Sequence, residues 1–406
     1  MDPLLHRRTH SYSHPPHREN SSRAAAAAIV IRGAVLFLLP LLMLVTVGCT
    51  GNRDGETAAT TVVGERSALS VLSTSDTAGF ARADVVRDFR FPEDDGPHPE
   101  FRTEWWYWTG NLESSDGRRF GYQLTFFRQA LAPGVRDSAW RSGHTYFANF
   151  ALTDIDGGQF HAFERFNRGT AGLAGARAFP FRVWVDDWTV HATGANDITG
   201  PVELRATEGE ISIALTLRAE KPRILHGDHG LSKKSAASGN ASYYYSLTRI
   251  ASDGHIRIGD RTFAVQGTSW LDREWSTSVL DPAQTGWDWF SMQFDDGSEL
   301  MLYQLRLDNG GIDPFSAGSS IDPTGKRRTL TREEFHIMPR GAWQSPRSGI
   351  HWPSGWEVRI PALGLVLDVE PVRDDQELPL TVTYWEGAVR IRGSRTGVGY
   401  VELTGY

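Results

Sequence analysis

Between Phe89 and the C-terminus the chain repeats one texture: short runs of β-branched and aromatic residues closed off by Gly, Asn or Asp. "RRFGYQLTFFR", "HTYFANFALTD", "RVWVDDWTVHATG", "EISIALTLRA", "ASYYYSLTRI", "ELMLYQLRL" and "WEVRIPALGLVLDVE" are such runs, and Asp116-Gly117, Asp156 to Gly158 and Asp296-Gly297 lie at turns between them. Runs of this length with tight-turn dipeptides predict antiparallel hairpins in a sandwich or barrel. Sustained amphipathic helix patterns are scarce, "TREEF" near Thr331 being the best short one. The expected class is therefore mainly β.

An internal echo points to two copies of one design. Trp106 and Trp108 precede Asp116-Gly117 and then Tyr122-Gln123-Leu124, while Trp287 and Trp289 precede Asp296-Gly297 and then Tyr303-Gln304-Leu305. A chain of 406 residues with 40% apolar and 22% charged residues can supply two cores. The expected boundaries are 86–275 for a first β-domain and 276–406 for a second.

The N-terminus is of another kind. A polar, basic stretch is followed by "AAAAAIVIRGAVLFLLPLLMLVTVGC", in which Gly48 precedes Cys49, the sole cysteine. This resembles a bacterial lipoprotein export signal, with lipid on the Cys49 thiol, although Thr46 stands where Leu is commonest. The alternative is a single transmembrane anchor interrupted by Arg32 and Pro40. Both readings assign 1–49 to export and tethering, 50–85 to a flexible Ser/Thr/Gly-rich linker, and the globular part to the outer side of a membrane. One cysteine excludes an internal disulfide.

The net charge of −7 gives no basic stripe, so nucleic acid is not an expected partner. No G-x-S-x-G elbow, H-E-x-x-H helix or Gly-rich phosphate loop occurs, which leaves a hydrolase without a nucleophile. His226 and His229 in "HGDHG" lack a third ligand nearby, and His6, His10, His14 and His17 fall in the N-terminal leader; no metal or cofactor is expected.

Fourteen tryptophans are a heavy load, and two clusters concentrate them. On a strand, alternate side chains share a face. In "EWWYWTG", Glu104, Trp106 and Trp108 fall on one face and Trp105, Tyr107 and Thr109 on the other. In "SWLDREW", Trp270, Asp272 and Glu274 fall opposite Leu271, Arg273 and Trp275, and in "SYYYS" Tyr243 and Tyr245 lie together. We expect the Glu104 face, with Trp287, Trp289 and His144, to wall an apolar ligand space inside a barrel, and the Trp105 face to pack on the second barrel. Structural packing and Arg pairing of Glu104 are the plainer alternatives.

"EWWYWTGNL", "FFR" ending at Arg128, "HTYFANFALTD", "FERFNRG", "HGLSKKS", "ASYYYSLTR", "SWLDREWSTS", "GWDWFSMQFDDGSELMLYQLR", "YWEGAVRIRG" and "GYVELTGY", in that order from about Pro92 to Tyr406, resemble the AttH/CrtC family. The resemblance implies two consecutive lipocalin-like antiparallel β-barrel domains and an apolar lipid or isoprenoid ligand. It also implies one of two roles: an accessory to an ABC-type membrane transporter, or a cofactor-free carotenoid 1,2-hydratase-like enzyme. In the second, Asp272 would be the acid, in the company of Glu274, Tyr243, Tyr245 and Trp270. The family's hydratases carry His-x-Trp upstream of Tyr-x-Asp, whereas this chain has Tyr243-x-Tyr245 and Trp270-x-Asp272. The acid is kept and its histidine partner is not.

Overall fold

Asp116-Gly117 and Asp296-Gly297 each close a long hairpin in the computed structural model, which describes residues 77–134, 142–278 and 280–406. Gly117 and Gly297 take φ of 82° and 80°, a conformation that any side chain would strain. The first sheet has thirteen strands. These are β1 (Thr103–Ser114), β2 (Arg119–Ala130), β3 (His144–Asp154), β4 (Gln159–Arg168), β5 (Ala174–Arg177), β6 (Arg182–Val185), β7 (Trp188–Ala192), β8 (Val202–Glu208), β9 (Ile211–Ala219), β10 (Ile224–Leu225), β11 (Leu231–Lys233), β12 (Ala241–Ile258) and β13 (Arg261–Ser276). Their order is β4-β3-β2-β1-β13-β12-β9-β8-β7-β6-β5, with β10 and β11 paired to the start of β12.

Strands far apart in that order meet across the inside. Phe150 of β3 contacts Trp188 of β7 at 5.7 Å between ring centroids, and Trp108 of β1 contacts Phe181 at 6.3 Å. The sheet is thus curled around one core, to which β1 contributes Trp106, Trp108 and Leu112 and β13 contributes Leu271.

The second sheet repeats the scheme with β14 (Gln284–Phe294), β15 (Glu299–Leu307), β16 (Ala317–Ile321), β17 (Arg327–Thr331), β18 (His336–Pro339), β21 (Trp356–Ile360), β22 (Leu365–Pro371), β23 (Glu377–Pro379), β24 (Thr383–Gly393) and β25 (Gly397–Leu403). A separate two-stranded ribbon joins β19 (Ala342–Gln344) to β20 (His351–Pro353). Inside the second core Trp356 meets Phe290 edge to face at 5.5 Å and Trp385 at a tilt at 6.1 Å. No α-helix occurs among the described residues. The molecule is mainly β, with two lipocalin-like antiparallel β-barrel domains.

The first sheet ends at Ser276 and the second begins at Gln284. The expected export signal, 1–49 with Cys49, and residues 50–76 of the expected linker lie outside the described residues. The end of the expected linker is not free: Ala83 is fully buried, the Ala81 amide donates to Glu100 O at 2.9 Å, and Tyr243 Oη donates to Val85 O at 2.9 Å. Its small residues allow close packing against the apolar cluster around Tyr243, Tyr245 and Trp275.

Candidate functional site between the barrels

Alternation on the central strands gives each sheet a second apolar face, and these outer faces pack on one another. Tyr107, Tyr244 and Trp270 of the first sheet form one cluster with Trp289, Met301, Tyr303 and Leu305 of the second. Tyr107 and Trp289 meet edge to face at 5.2 Å. Between the faces lies a cavity of about 140 Å³, with Trp105, Phe127 and Phe147 on one wall and Trp287, Trp289 and Tyr384 on the other. This is close to the roughly 150 Å³ of an engineered apolar cavity that takes up benzene, so one ring or one branched C5 unit fits.

Five carboxyls line this aromatic wall, Glu164 near Thr381 and then Asp272, Glu274, Glu386 and Glu402, with Lys234 as the one cation among the described lining residues. Asp272 is held by three donors: Tyr244 Oη to Oδ2 at 2.6 Å, Trp270 Nε1 to Oδ1 at 2.6 Å, and Ser246 Oγ to Oδ1. Burial lifts its carboxyl to about 7 despite these donors, and Glu274 nearby adds to the rise. Glu274 accepts from Ser242 Oγ and pairs with Lys234 Nζ at 3.2 Å. Lys234 in turn stands 4.2 Å from the centre of the Tyr303 ring.

On the opposite wall Glu386 and Glu402 are direct cross-strand neighbours of β24 and β25. Burial, then each other's company, pushes Glu386 well above the ordinary glutamate range; burial with Asp272 and Glu274 nearby raises Glu402 to about 8. Glu402 Oε1 accepts from Trp287 Nε1 at 3.0 Å, and Glu386 Oε1 accepts from Tyr107 Oη at 2.5 Å. Glu386 Oε2 is buried and has no hydrogen-bond partner.

Behind Asp272 runs a polar chain. Ser246 Oγ lies 2.7 Å from His226 Nε2, and His226 Nδ1 lies 2.9 Å from Ser319 Oγ. Burial, then Arg327 and Lys234, holds His226 well below the usual histidine range, as a neutral ring. A histidine thus reaches Asp272 through one hydroxyl, from the loop before β11 rather than from the tyrosine strand. His229, its sequence neighbour, is exposed, and no group of three or more metal-ligating side chains occurs among the described residues.

The structure brings Asp272, Glu274, Trp287 and Trp289 together on the cavity wall, with Trp270 behind them donating to Asp272, and sends the other candidates elsewhere. Trp106 and Trp108, 0% and 1% exposed, fill the first core, because the barrel lumen is packed solid with side chains. Glu104 shares their face but lies at the end of the barrel in a buried ion cluster: Arg128 Nε and Arg273 Nη2 both donate to it, and Arg128 Nη1 lies 3.0 Å from His144 Nδ1. Neither Glu104 nor His144 lines the cavity.

Tyr243 and Tyr245 face away from the cavity too, Tyr245 Oη donating to Asp95 Oδ1 at 2.6 Å. The ring on the cavity side of that strand is Tyr244, paired in register with Glu274. The echo between the two hairpins is likewise out of step in facing: Trp106 and Trp108 point to a core, Trp287 and Trp289 to the cavity.

Sequence reasoning overlooked Tyr107, Tyr244, Lys234, Glu386 and Glu402. One signal was available: "TYWEGAV" and "GYVEL" each place a single carboxylate within an apolar run, where a strand covered on both faces must bury it.

A half-buried ring on a cavity wall should matter more to a ligand than to the fold. Trp105→Ala is expected to cost only about 1 to 2 kcal/mol in denaturant unfolding, and to weaken retention of any apolar molecule that co-purifies, as read by native mass spectrometry. A larger loss with ligand retained would make Trp105 a core residue.

Fold and cavity together define a class: two-barrel, lipocalin-like proteins with a carboxyl-bearing aromatic cavity between the barrels. The model of the AttH-like family matches residues 82–406, and the chain belongs to that family. An AttH-type protein of Nitrosomonas europaea, known as a crystal structure, is 33% identical over 80% of this chain and all of its own, with a TM-score of 0.72. Kievitone hydratase of Nectria haematococca, at 12% identity over 78% of this chain and 92% of its own, shares the fold with a TM-score of 0.62. No curated protein matches significantly.

Proposed function

We propose that the cavity receives the apolar end of a lipid or isoprenoid and that its carboxyls add water across a double bond there, or remove it. One observation carries this reading: carboxyls that burial keeps protonatable near neutral pH are set into an aromatic wall. Hydration of an alkene without a cofactor needs a carboxylic acid to deliver a proton, π faces to stabilise the cation, and a group to relieve the attacking water of its proton. Asp272, Trp289, Tyr107 and the Glu386–Glu402 pair offer that set. The cavity volume admits one terminal branched unit, so a long substrate would present its end and leave its body outside.

The carrier role is the second reading. An export signal ending at Cys49 and a linker suit a membrane-tethered protein on the outer side of a membrane that holds an apolar molecule, as an accessory to an ABC-type transporter. In that case the carboxyls only orient the ligand.

One experiment separates the two. The protein is purified gently from membranes, its bound molecule is released and identified, and that molecule together with lycopene, squalene and geranylgeraniol is incubated with the protein in H2(18)O. The hydro-lyase reading expects an (18)O-labelled alcohol, absent with Asp272→Asn of unchanged fold. Recovery of an intact lipid with no labelled product from any of these compounds would leave the carrier.

A further inference from the structure

We propose that Glu386, on the second barrel, is the proton donor of this cavity, and that Asp272, on the first, accepts the proton given up by water. The assignment rests on the hydro-lyase reading and reverses the role the sequence suggests for Asp272.

The two carboxyls are held in opposite ways. Both oxygens of Asp272 are occupied by donors, from a phenol, a hydroxyl and an indole. Such a set favours the ionised form and leaves the group ready to receive a proton. Glu386 has one oxygen taken by Tyr107 Oη, while Oε2 is buried and partnerless. A carboxylate oxygen without a donor in an apolar site is costly, whereas the same oxygen carrying a proton is a donor with nothing to compete for it.

The surroundings of Glu386 agree. Its cross-strand neighbour is Glu402, and the other groups against it are the phenols of Tyr107, Tyr384 and Tyr400. The Tyr384 oxygen accepts from Asn149 Nδ2 at 3.0 Å, and its own O–H lies near enough to Glu386 to favour ionisation while falling short of a hydrogen bond to Oε2. Among the described residues, no cation bears on Glu386. Asp272, brought by burial to about 7, suits a group that must be ionised to act near neutral pH. Tyr107 connects the two: its hydroxyl binds Glu386, and its backbone pairs in register with Asp272 on the adjoining strand.

The step balances. The O–H bond of Glu386 breaks and its proton forms a C–H bond with the π pair of the alkene, leaving a cation on the more substituted carbon and a carboxylate on Glu386. Water forms the C–O bond with a lone pair and loses a proton to Asp272. Return of that proton from Asp272 to Glu386 resets the site, and the sum is alkene plus water to alcohol.

Two measurements test the assignment. Infrared difference spectra of the ligand-free protein in H2O and D2O at neutral pH are expected to show the C=O stretch of protonated carboxylic acid. Glu386→Gln should remove a component of that band, whereas Glu386→Asp should keep it. In the (18)O assay Glu386→Gln should lower turnover about 10²- to 10⁴-fold, and Glu386→Asp, an acid drawn back by one methylene, should fall between. The alkaline limb of the pH–rate profile should vanish in Glu386→Gln and the acidic limb in Asp272→Asn.

An unchanged infrared band in Glu386→Gln, or turnover within about 3-fold of wild type, far below the general-acid range, overturns the donor role while hydration stands. A wild-type protein that labels none of the compounds overturns the hydration reading itself and the donor role with it.

Discussion

Replacing Glu104 by alanine is expected to cost about 3 to 5 kcal/mol of folding stability and to leave the cavity between the barrels in place. Glu104 is wholly buried where β1 lies between β2 and β13, and it takes hydrogen bonds from Arg128 on one side and Arg273 on the other. The His98 amide adds a third at 3.0 Å. Burial alone would raise its carboxyl, yet Arg128 and Arg273 hold it well below the ordinary glutamate range. Alanine removes the one carboxylate between two guanidiniums with little access to water, and an uncompensated buried charge is costlier than an absent ion pair. Denaturant unfolding reads the loss directly. Converting Glu104, Arg128 and Arg273 together to methionine should recover much of it, because the deficit lies in the orphaned charges. A loss below about 1 kcal/mol, the size of an exposed pair, would show that water reaches the cluster.

How much of this was legible beforehand follows from what strand alternation can and cannot say. Parity is local, and it correctly grouped Trp270, Asp272 and Glu274 on one side of β13 and put Arg273, which binds Glu104, on the other. Which side meets solvent, core or partner is set by the other sheet, and no residue of "EWWYWTG" carries that information. Trp106 and Trp105 look equally suited to a ligand; the first fills a lumen and the second walls the space between barrels. The choice of Tyr243 and Tyr245 over Tyr244 failed for the same reason, three identical rings offering no contrast by which to choose a face. Glu386 and Glu402 lie more than a hundred residues from Asp272, and their meeting across the cavity is a product of tertiary packing alone. The hairpins, by contrast, are written locally in Asp-Gly turns, and the two-barrel fold accordingly matches the expectation.

Asp272→Asn is expected to stabilise the protein by an amount that grows from about pH 4 to about pH 7 and stays at its full size in mildly alkaline solution. An unfolded aspartate ionises near 3.8, whereas burial moves Asp272 to about 7 in the fold. Between these values the native state keeps a proton that the unfolded state has lost, so unfolding free energy falls as pH rises, and the penalty is complete above about 7. A displacement of this size corresponds to a penalty on the order of 4 kcal/mol. Asparagine has no charge to bury, and it can still accept from Trp270 and Ser246 while turning its amide toward the Tyr244 oxygen. The variant should therefore match or fall slightly below wild type at pH 4 and exceed it at pH 8, as read by thermal unfolding across that range. Glu104 acts with the opposite sign, since its lowered value gives stability that is full above the unfolded glutamate range and lost in acid. Wild-type stability should then peak between the acid limb set by Glu104 and the decline that Asp272 sets from about pH 4 to 7, with Glu402, at about 8, extending it. A variant whose stability tracks wild type at every pH would mean that Asp272 ionises as it does in water, and with that the cavity would lose its claim to tune a carboxyl for proton transfer.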